Sequence, residues 1–432
     1  MKRDDFRRLK CESPVVSASA SKSLKEANVV QVLIGVATIL AAANGASIAV
    51  EPAADWPCFH GPNRDNKSPD QGLLKEWPAG GPKLVWKTEI VGKGFSSATI
   101  ADSTVYITGD VANVCTLFAF DMNGTLKWKM DAGQGWEQKN YTGSRGSATV
   151  DGGLVYVLNA HGVLTCFDAK TGQRKWSHTA KEFGGSAGGW GYAESPLIYK
   201  TAVVFKPGGS GCIVALNKQT GALMWKSSGF SAGPEYSSCM TFSLGNQDFI
   251  ATGTRGGIVC VNATTGAKVW MNDFCANNTA NCPTPAFSDG HLFWSNGYGK
   301  GCICLKPGPA GATVVWQGQQ MVCHHGGYVI HEGHIYGDSA KTVCLDLKTG
   351  QEKWSERFVG KGSLTYADGM LYLFGESGGK AALVACTPEK PQLKGEFSVA
   401  GTGASWAHPV VIGGRLYLRY DTNLYCYDVK AK

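Results

Sequence analysis

The chain has 432 residues, of which 57 are Gly, 13 are Trp and 15 are Cys, and only 17% are charged. Gly is nearly twice as frequent as the usual ~7%, but the 43% of hydrophobic residues excludes a disordered or collagen-like chain. Evenly spread Gly would interrupt long helices at about 1 kcal/mol each, so we expect many short strands joined by Gly turns. Of the +7 net charge, residues 1–49 carry seven Lys/Arg and four Asp/Glu, which leaves 34 basic and 30 acidic residues, or +4, on the remainder. Without a long basic run, this balance argues against nucleic-acid binding.

An apolar run without a charge, residues 29–43, follows the basic N-terminal stretch. The small residues Ser47 and Ala49 after it fit an A-x-A-like cleavage site, so the pattern favours a secretory signal and export to the periplasm or beyond. The run is shorter than the ~20 apolar residues of a membrane span. Its long leader nevertheless keeps an uncleaved N-terminal membrane anchor open as the alternative. We assign 1–49 to the signal or anchor, 50–82 to an N-terminal extension and 83–432 to one folded domain.

A turn motif recurs after residue 80, and the aromatic residues that follow its copies or stand at equivalent positions are spaced 38 to 49 residues apart. Asp168-Ala-Lys-Thr-Gly172 precedes Trp176, and three further copies and a shortened one precede other Trp residues. In such a turn the Asp side chain bonds its own backbone two residues on, while Gly supplies a positive φ. We take one aromatic residue to mark each of eight units: Trp86, Trp128, Trp176, Trp225, Trp270, Trp316, Trp354 and Phe397.

Each unit reads as four short strands. Around Trp176 these are 147–150, 154–158, 163–167 and 174–177, separated by Gly- and Asn-rich turns that are typical of hairpins. Four-stranded units of 40–50 residues repeated around an axis predict an all-β, eight-bladed β-propeller. The last unit, 406–428, lacks an outer strand, whereas 83–90 is an outer strand with no unit before it. Pairing the two closes the ring and removes two exposed edges.

The Asp-x-x-Thr-Gly-x-x-x-Trp unit resembles the pyrroloquinoline quinone (PQQ) repeat of quinoprotein alcohol dehydrogenases and BamB-type outer-membrane assembly scaffolds. Four segments resemble PQQ-like propellers of planctomycetes: 56–64, 191–197, 323–327 and 406–410. The resemblance covers about residues 55–428 and implies an eight-bladed propeller. PQQ dehydrogenases carry adjacent cysteines beside the quinone, and this chain has no Cys-Cys pair. We also find no match here for the calcium-binding carboxylates or the catalytic Asp of those enzymes.

Loops that lead into the innermost strands share one face of a propeller with loops that join second and third strands. Aligning the units places a set of polar and aromatic residues there: Arg145, Trp190, Glu194, Tyr236, His325, Lys361 and Trp406. Convergent Arg/Lys with Trp and Tyr suits a planar anionic ligand, because guanidinium binds carboxylates and indole stacks on rings. The alternative is that these residues only fill and solvate the channel mouth, with Glu194 and Arg145 forming an ion pair.

Two functions follow from the resemblance. The first is an extracytoplasmic binding or scaffolding module, expected to be a monomer, which takes a planar anion or a protein partner at the channel mouth. The second is a PQQ- and calcium-dependent dehydrogenase that oxidises an alcohol or sugar. There Arg145 and Lys361 would hold the PQQ carboxylates, Trp190 or Trp406 would stack on it, and Glu194 or His325 would abstract a proton.

Histidines and cysteines give two further expectations. His325 and His331 lie at opposite ends of one predicted strand, about 20 Å apart at ~3.3 Å per residue, so we expect no metal site shared by them and His334. Cys166, Cys260, Cys304, Cys344 and Cys426 share a repeat position at which other units carry Ala119, Ala215 and Ala385, which predicts small buried residues rather than disulfides. Cys275 and Cys282 flank a polar loop and are the candidates for a small disulfide.

Overall fold

The computed structural model describes residues 55–138 and 141–432, so the predicted signal or anchor lies outside the described residues. Within them the chain is almost entirely β-structure, with a single short 3-10 helix at Ala180–Phe183. No helix in this part of the chain is long and apolar enough to cross a membrane.

The strands of the described residues form eight four-stranded antiparallel sheets, the blades. The first strand, β1 (Lys83–Thr88), belongs to the last blade. Blade 1 contains β2 (Thr99–Ala101), β3 (Thr104–Val111), β4 (Val114–Asp121) and β5 (Leu126–Gln134), and blade 2 contains β6 (Thr149–Asp151), β7 (Leu154–Leu158), β8 (Val163–Asp168) and β9 (Arg174–Thr179). Blade 3 contains β10 (Leu197–Tyr199), β11 (Ala202–Phe205), β12 (Val214–Asn217) and β13 (Leu223–Lys226). Blade 4 contains β14 (Met240–Leu244), β15 (Gln247–Thr254), β16 (Gly257–Asn262) and β17 (Lys268–Asn272). Blade 5 contains β18 (Ala286–Ser288), β19 (His291–Asn296), β20 (Gly301–Pro307) and β21 (Ala312–Gly318), and blade 6 contains β22 (Tyr328–His331), β23 (His334–Asp338), β24 (Thr342–Asp346) and β25 (Glu352–Glu356). Blade 7 contains β26 (Gly362–Ala367), β27 (Met370–Gly375), β28 (Lys380–Ala385) and β29 (Leu393–Ser398). Blade 8 contains β30 (Val410–Ile412), β31 (Arg415–Tyr420) and β32 (Asn423–Asp428) and is completed by β1.

The ring closes as the sequence predicts. β1 pairs antiparallel with β32, with Lys83 opposite Asp428 and Thr88 opposite Leu424. The eight-bladed propeller is thereby confirmed. Its apolar core lies between neighbouring blades, as where Phe118 of blade 1 packs with Tyr417 and Leu424 of blade 8.

The repeated turn packs on the Trp of the preceding blade. Asp346 Oδ1 accepts hydrogen bonds from the backbone N–H and the hydroxyl of Thr349, both at 2.9 Å. Gly350, at φ +71°, lies so close to the Trp316 ring that a Cβ would come within 2.6 Å of it. Trp316 Nε1 donates to Leu347 O at 2.8 Å. The motif therefore joins adjacent blades as well as adjacent strands, because its Gly leaves room for the indole.

Blade 7 corrects the predicted repeat. In blade 6, Trp354 pairs with Cys344, immediately before a β-bulge. In blade 7 the residue before the bulge is Leu383, and its partner is Gly395. By register, Phe397 and Ala385 therefore do not hold the marker and small-residue positions, and that prediction is wrong. Phe397 does lie on the outer strand and packs on the next unit as predicted, since a Cβ on Gly81 would fall 2.5 Å from its ring. The sequence spacing misled because β28 and β29 are joined by a longer turn than the other units have.

The missing indole of blade 7 comes from the N-terminal extension. The ring of Trp77 lies 5.9 Å from that of Tyr372, and Tyr336 lies 6.1 Å from Trp354 in blade 6. Trp77 is buried, and its backbone N–H donates to Lys394 O at 2.7 Å. A Cβ on Gly395 would fall 2.6 Å from the Cβ of Trp77, so the Gly is needed for this contact.

Residues 55–68 of the extension form a plug across the central channel. Trp56 exchanges two backbone hydrogen bonds with Ile100 of blade 1. Arg64 Nη1 donates to Cys239 O, just before blade 4, at 2.8 Å, and Asn66 O accepts from Tyr366 N of blade 7 at 3.0 Å. The innermost strands of a propeller have unpaired edges toward the channel, and the plug satisfies some of those backbone groups.

The plug holds three residues other than Gly at positive φ: His60 at 69°, Arg64 at 53° and Asn66 at 61°. Left-handed backbone costs about 1–2 kcal/mol at such residues. All three side chains are buried, so tertiary packing supports the strained conformation.

Candidate functional site

A cavity of about 180 Å³ lies beside the plug, among the loops that lead into the innermost strands. Its lining comes from the plug and from loops of at least six blades, and most of it is aromatic or small. The lining residues are Phe59, Phe95, Tyr141, Arg145, Ser147, Trp190, Ala193, Ser195, Tyr236, Ser238, Ala280, Cys282, Tyr298, His324, His325, Trp406 and His408. We call this cavity the aromatic pocket.

The floor of the aromatic pocket is built on the plug. Phe59 stacks on His60 with ring centroids 3.9 Å apart and meets His408 edge-on at 4.9 Å. His60 Nε2 and His408 Nδ1 are 3.2 Å apart and share a hydrogen bond. Burial lowers the pKa of His408 to about 4, and burial with the adjacent His408 lowers the pKa of His60 well below its usual value. Both imidazoles are therefore neutral at physiological pH.

Trp406, just before β30, anchors the aromatic wall. Its ring lies 4.5 Å from Phe95, 5.2 Å from Tyr141 in a stacked arrangement and 4.2 Å from His325. Tyr141 in turn meets Trp190 edge-on at 5.4 Å. These contacts fix the orientation of the rings, so a flat ligand would find preformed faces.

Arg145, just before β6, presents its guanidinium among these rings. The group lies 5.7 Å from the centre of Phe95 and 5.5 Å from that of Trp136. Its Nη atoms donate to the carbonyl oxygens of Gly143 and Tyr141. Burial lowers the pKa of Arg145 to about 10, so the group stays cationic at neutral pH. The charge of Asp110 raises the pKa of Arg145 in part, but the Asp110 carboxylate accepts its hydrogen bond from Trp136 N and not from the guanidinium.

No ion pair shorter than 4.0 Å within residues 55–138 and 141–432 includes Arg145. The alternative ion pair between Arg145 and Glu194 is therefore wrong. The carboxylate of Glu194 is turned away: it accepts from Lys206 N, and its other oxygen has no partner. Burial raises the pKa of Glu194 to about 7, against the lowering effect of the Lys206 charge.

The other predicted site residues divide between two cavities. Trp190, Tyr236, His325 and Trp406 line the aromatic pocket together with Arg145, whereas Glu194 does not. Lys361 lines a neighbouring basic pocket of about 640 Å³, which also contains Arg357, Lys380 and Glu376. Trp406, Tyr141 and His324 border both cavities.

A cluster that sequence reasoning missed lies between the two cavities. The Nδ1 atoms of His324 and His325, just before β22, both lie 3.1 Å from Glu376 Oε1 in the β27–β28 loop of the next blade. Burial alone would raise the pKa of Glu376, but hydrogen bonds from the two imidazoles outweigh it and lower the pKa to about 2. The ring of His331, at the far end of β22, is tilted against that of Tyr366 with the centroids 4.0 Å apart. The adjacent His pair was a visible signal, whereas the approach of Glu376 depends on how two blades pack.

Cys275 and Cys282 are free thiols, so the predicted disulfide does not form. Hydrogen bonds close the loop between them: Asn281 Oδ1 accepts from Asn277 N at 3.0 Å, and Asn281 Nδ2 donates to Glu235 Oε2 at 3.1 Å. Cys275 Sγ faces Trp294 O inside the blade, while Cys282 lines the aromatic pocket. Burial raises the pKa of both thiols, so neither is a ready nucleophile.

Comparison with known proteins agrees with this architecture. The family model described as outer membrane protein assembly factor BamB matches residues 69–205 and 209–304, more than half of the chain. The chain belongs to this family. The BamB-type assignment confirms the resemblance to PQQ-like propellers inferred from the repeat.

Individual proteins similar to this BamB-like chain include dehydrogenases and a BamB. A polyvinylalcohol dehydrogenase from Pseudomonas sp. is 28% identical over 237 residues, which are 50% of this chain and 34% of the relative, so the chain spans about a third of that relative's length. BamB from Moraxella catarrhalis superposes with a TM-score of 0.60 at 15% identity, over 80% of this chain and 99% of that one. Quinohemoprotein alcohol dehydrogenase from Comamonas testosteroni gives 0.67 at 14% identity, over 88% and 81%. The two structural likenesses show the shared fold.

Proposed function

We propose that this protein is an extracytoplasmic binding module that takes a planar aromatic anion into the aromatic pocket. The observation that carries the proposal is Arg145, a partly buried cation with no carboxylate within 4.0 Å among the described residues. Guanidinium N–H groups bind carboxylates in a planar, charge-assisted arrangement, and burial strengthens that attraction. Apart from its histidines, Arg145 is the one charged side chain of the lining.

The walls complement that charge with flat apolar surface. The ring faces of Trp406 and Trp190 favour stacking on an aromatic ligand, and the neutral floor histidine His408 adds no competing charge. Phe59 of the plug adds a further aromatic ring to the lining. A cavity lined by fixed rings and a single cation is suited to selective binding.

The experiment compares two probes that share one ring system, of which one is anionic and the other neutral. Naphthalene-2-carboxylate and neutral 2-naphthalenemethanol are titrated into the purified protein by isothermal calorimetry, at fixed salt. We expect the carboxylate to bind and the alcohol to bind at least tenfold more weakly, since a hydrogen bond to a charged group contributes about 1.5–3 kcal/mol. Arg145→Met should remove the preference, whereas Arg174→Met, an exposed outer-strand change, should keep it. Equal binding of both probes to the wild type would refute the proposal.

A second candidate is a PQQ-dependent dehydrogenase of an alcohol or sugar, favoured by the identity with the polyvinylalcohol dehydrogenase. The aromatic pocket fits the quinone in part, since Arg145 would hold a carboxylate and Trp190 or Trp406 would stack. The calcium does not fit: the one group of three metal-capable side chains among the described residues has two imidazoles, and Ca²⁺ takes six to eight oxygens. Lys361, expected to hold a second carboxylate, lies in the neighbouring pocket.

The two candidates separate in one assay. Protein incubated with PQQ and Ca²⁺ is supplied with an alcohol and an electron-accepting dye. Turnover that disappears in Arg145→Met would establish the dehydrogenase and overturn the binding module. Binding of PQQ without turnover would support the module. Where a partner protein is the natural occupant, an acidic or aromatic peptide should compete with naphthalene-2-carboxylate for the aromatic pocket.

A further inference from the structure

We propose that His324, His325 and Glu376 form a binding site for a divalent transition-metal ion, of the zinc class, between the aromatic pocket and the basic pocket. The site goes beyond anion binding, because its three ligands come from loops of blades 6 and 7, whereas Arg145 and its carbonyl partners precede blade 2.

The spacing of the donor atoms suits such an ion. Both Nδ1 atoms lie 3.1 Å from the same oxygen, Glu376 Oε1. One ligand atom from each of the three residues lies within 4.8 Å of the other two. Ligands 2.0–2.1 Å from a tetrahedral Zn²⁺ are about 3.3 Å from one another. The two nitrogen–oxygen distances are therefore close to those between the ligands of a bound ion.

The surroundings hold each ligand in place. His324 Nε2 lies 3.1 Å from the hydroxyl oxygen of Tyr298. When an ion replaces the Nδ1 proton that is shared with Glu376, the ring would donate Nε2–H to this hydroxyl and direct its Nδ1 lone pair at the metal. The His325 ring packs against Trp406 at 4.2 Å. The Glu376 backbone is fixed at both ends, since its N–H donates to Lys361 O and its carbonyl accepts from Ser405 N.

The donor set selects the class of ion. Two imidazoles and one carboxylate suit Zn²⁺, Cu²⁺, Ni²⁺ or Fe²⁺, whereas Ca²⁺ and Mg²⁺ require oxygen ligands. Three protein ligands leave a fourth position, as sites that bind water or a substrate do. Because His324 and His325 line the aromatic pocket, that position is accessible to a ligand held there.

The test uses metal-stripped protein without a histidine tag. Zn²⁺ is titrated by calorimetry, and Co²⁺ is used as a spectroscopic probe of the ligand set. We expect one ion per chain, with affinity reduced at least 100-fold in Glu376→Gln and His324→Gln. Tyr298→Phe should weaken binding about tenfold, as loss of a group that orients a ligand does. His334→Gln, on the blade surface, is the matched control and should bind like the wild type.

Three outcomes would overturn the site. They are the absence of saturable binding near one ion per chain, equal affinity in Glu376→Gln and the wild type, and a Co²⁺–thiolate charge-transfer band, which would place the ion on cysteine. Near-ultraviolet circular dichroism of each variant separates loss of a ligand from loss of the fold. Binding of naphthalene-2-carboxylate to the metal-stripped protein is measured separately, so that either proposal can fail alone.

Discussion

Replacing Trp77 with Ala tests whether the N-terminal extension completes blade 7. The indole is 4% exposed and packs on Tyr372 in the way that Trp354 packs on Tyr336 one blade earlier. If the extension merely rested on the ring, the loss of one of its side chains would matter little. If Trp77 is the marker residue of blade 7, its loss should match the loss of a marker Trp within a blade.

The size of the effect follows from the buried surface. A buried Trp removes up to about 250 Å² from water, which at about 25 cal/mol per Å² corresponds to ~6 kcal/mol. A denatured chain already buries part of that surface, which reduces the figure by 10–40%. We therefore expect Trp77→Ala to lower the free energy of unfolding by about 4 kcal/mol, within the 3–5 kcal/mol typical of such changes.

Urea unfolding followed by far-ultraviolet circular dichroism measures the loss. Trp354→Ala, which removes the marker Trp of blade 6, is the reference, and it should cost a similar amount. Leu393→Ala, on β29 of blade 7 and 45% exposed, is the control and should change stability by less than about 0.5 kcal/mol. A Trp77→Ala loss as small as that of the control would refute the reasoning.

Two other changes test the site and the repeat. Burial raises the pKa of Glu194 to about 7, above the unfolded 4.5, so the folded chain binds more protons between these values and stability falls as pH rises through them. Glu194→Gln should remove about 3 kcal/mol of that fall, and parallel pH profiles of the two proteins in urea unfolding would contradict the assignment. Gly350→Ala should destabilise more than Gly333→Ala in thermal unfolding: both have positive φ, but only at Gly350 would the new Cβ meet an indole, that of Trp316. Equal losses would mean that the indole contact does not constrain the turn.

The blades and their closure were predictable because their signals are local. Asp168 and Gly172 form the turn from contacts within five residues, and alternating apolar residues define strands a few residues long. Even the pairing of β1 with β32, distant in sequence, was predictable, since each lacked a partner in its own unit. Where the local pattern broke, in blade 7, the spacing to Phe397 gave the wrong residue.

The candidate site was predicted in part for the same reason. Arg145, Tyr236, His325 and Trp406 occupy equivalent places before the innermost strands, so repeat alignment brought them to one mouth. It did not show that Glu194 turns into the blade, because side-chain direction depends on the local packing around Lys206. The short spacing of Cys275 and Cys282 suggested a disulfide bond. In the structure, hydrogen bonds of asparagine side chains close this loop and the two thiols stay free.

The architecture of a repeating chain can be predicted from its sequence, because each blade is specified by residues close together in the chain. The number of blades then defines the ring. What lies outside the repeat has no such template. The plug, Phe59 on the pocket floor, Trp77 in blade 7 and Glu376 beside His324 all depend on contacts between segments remote in sequence. Those contacts are set by which edges and cavities the assembled ring leaves unfilled, and that is determined only when the blades have packed together.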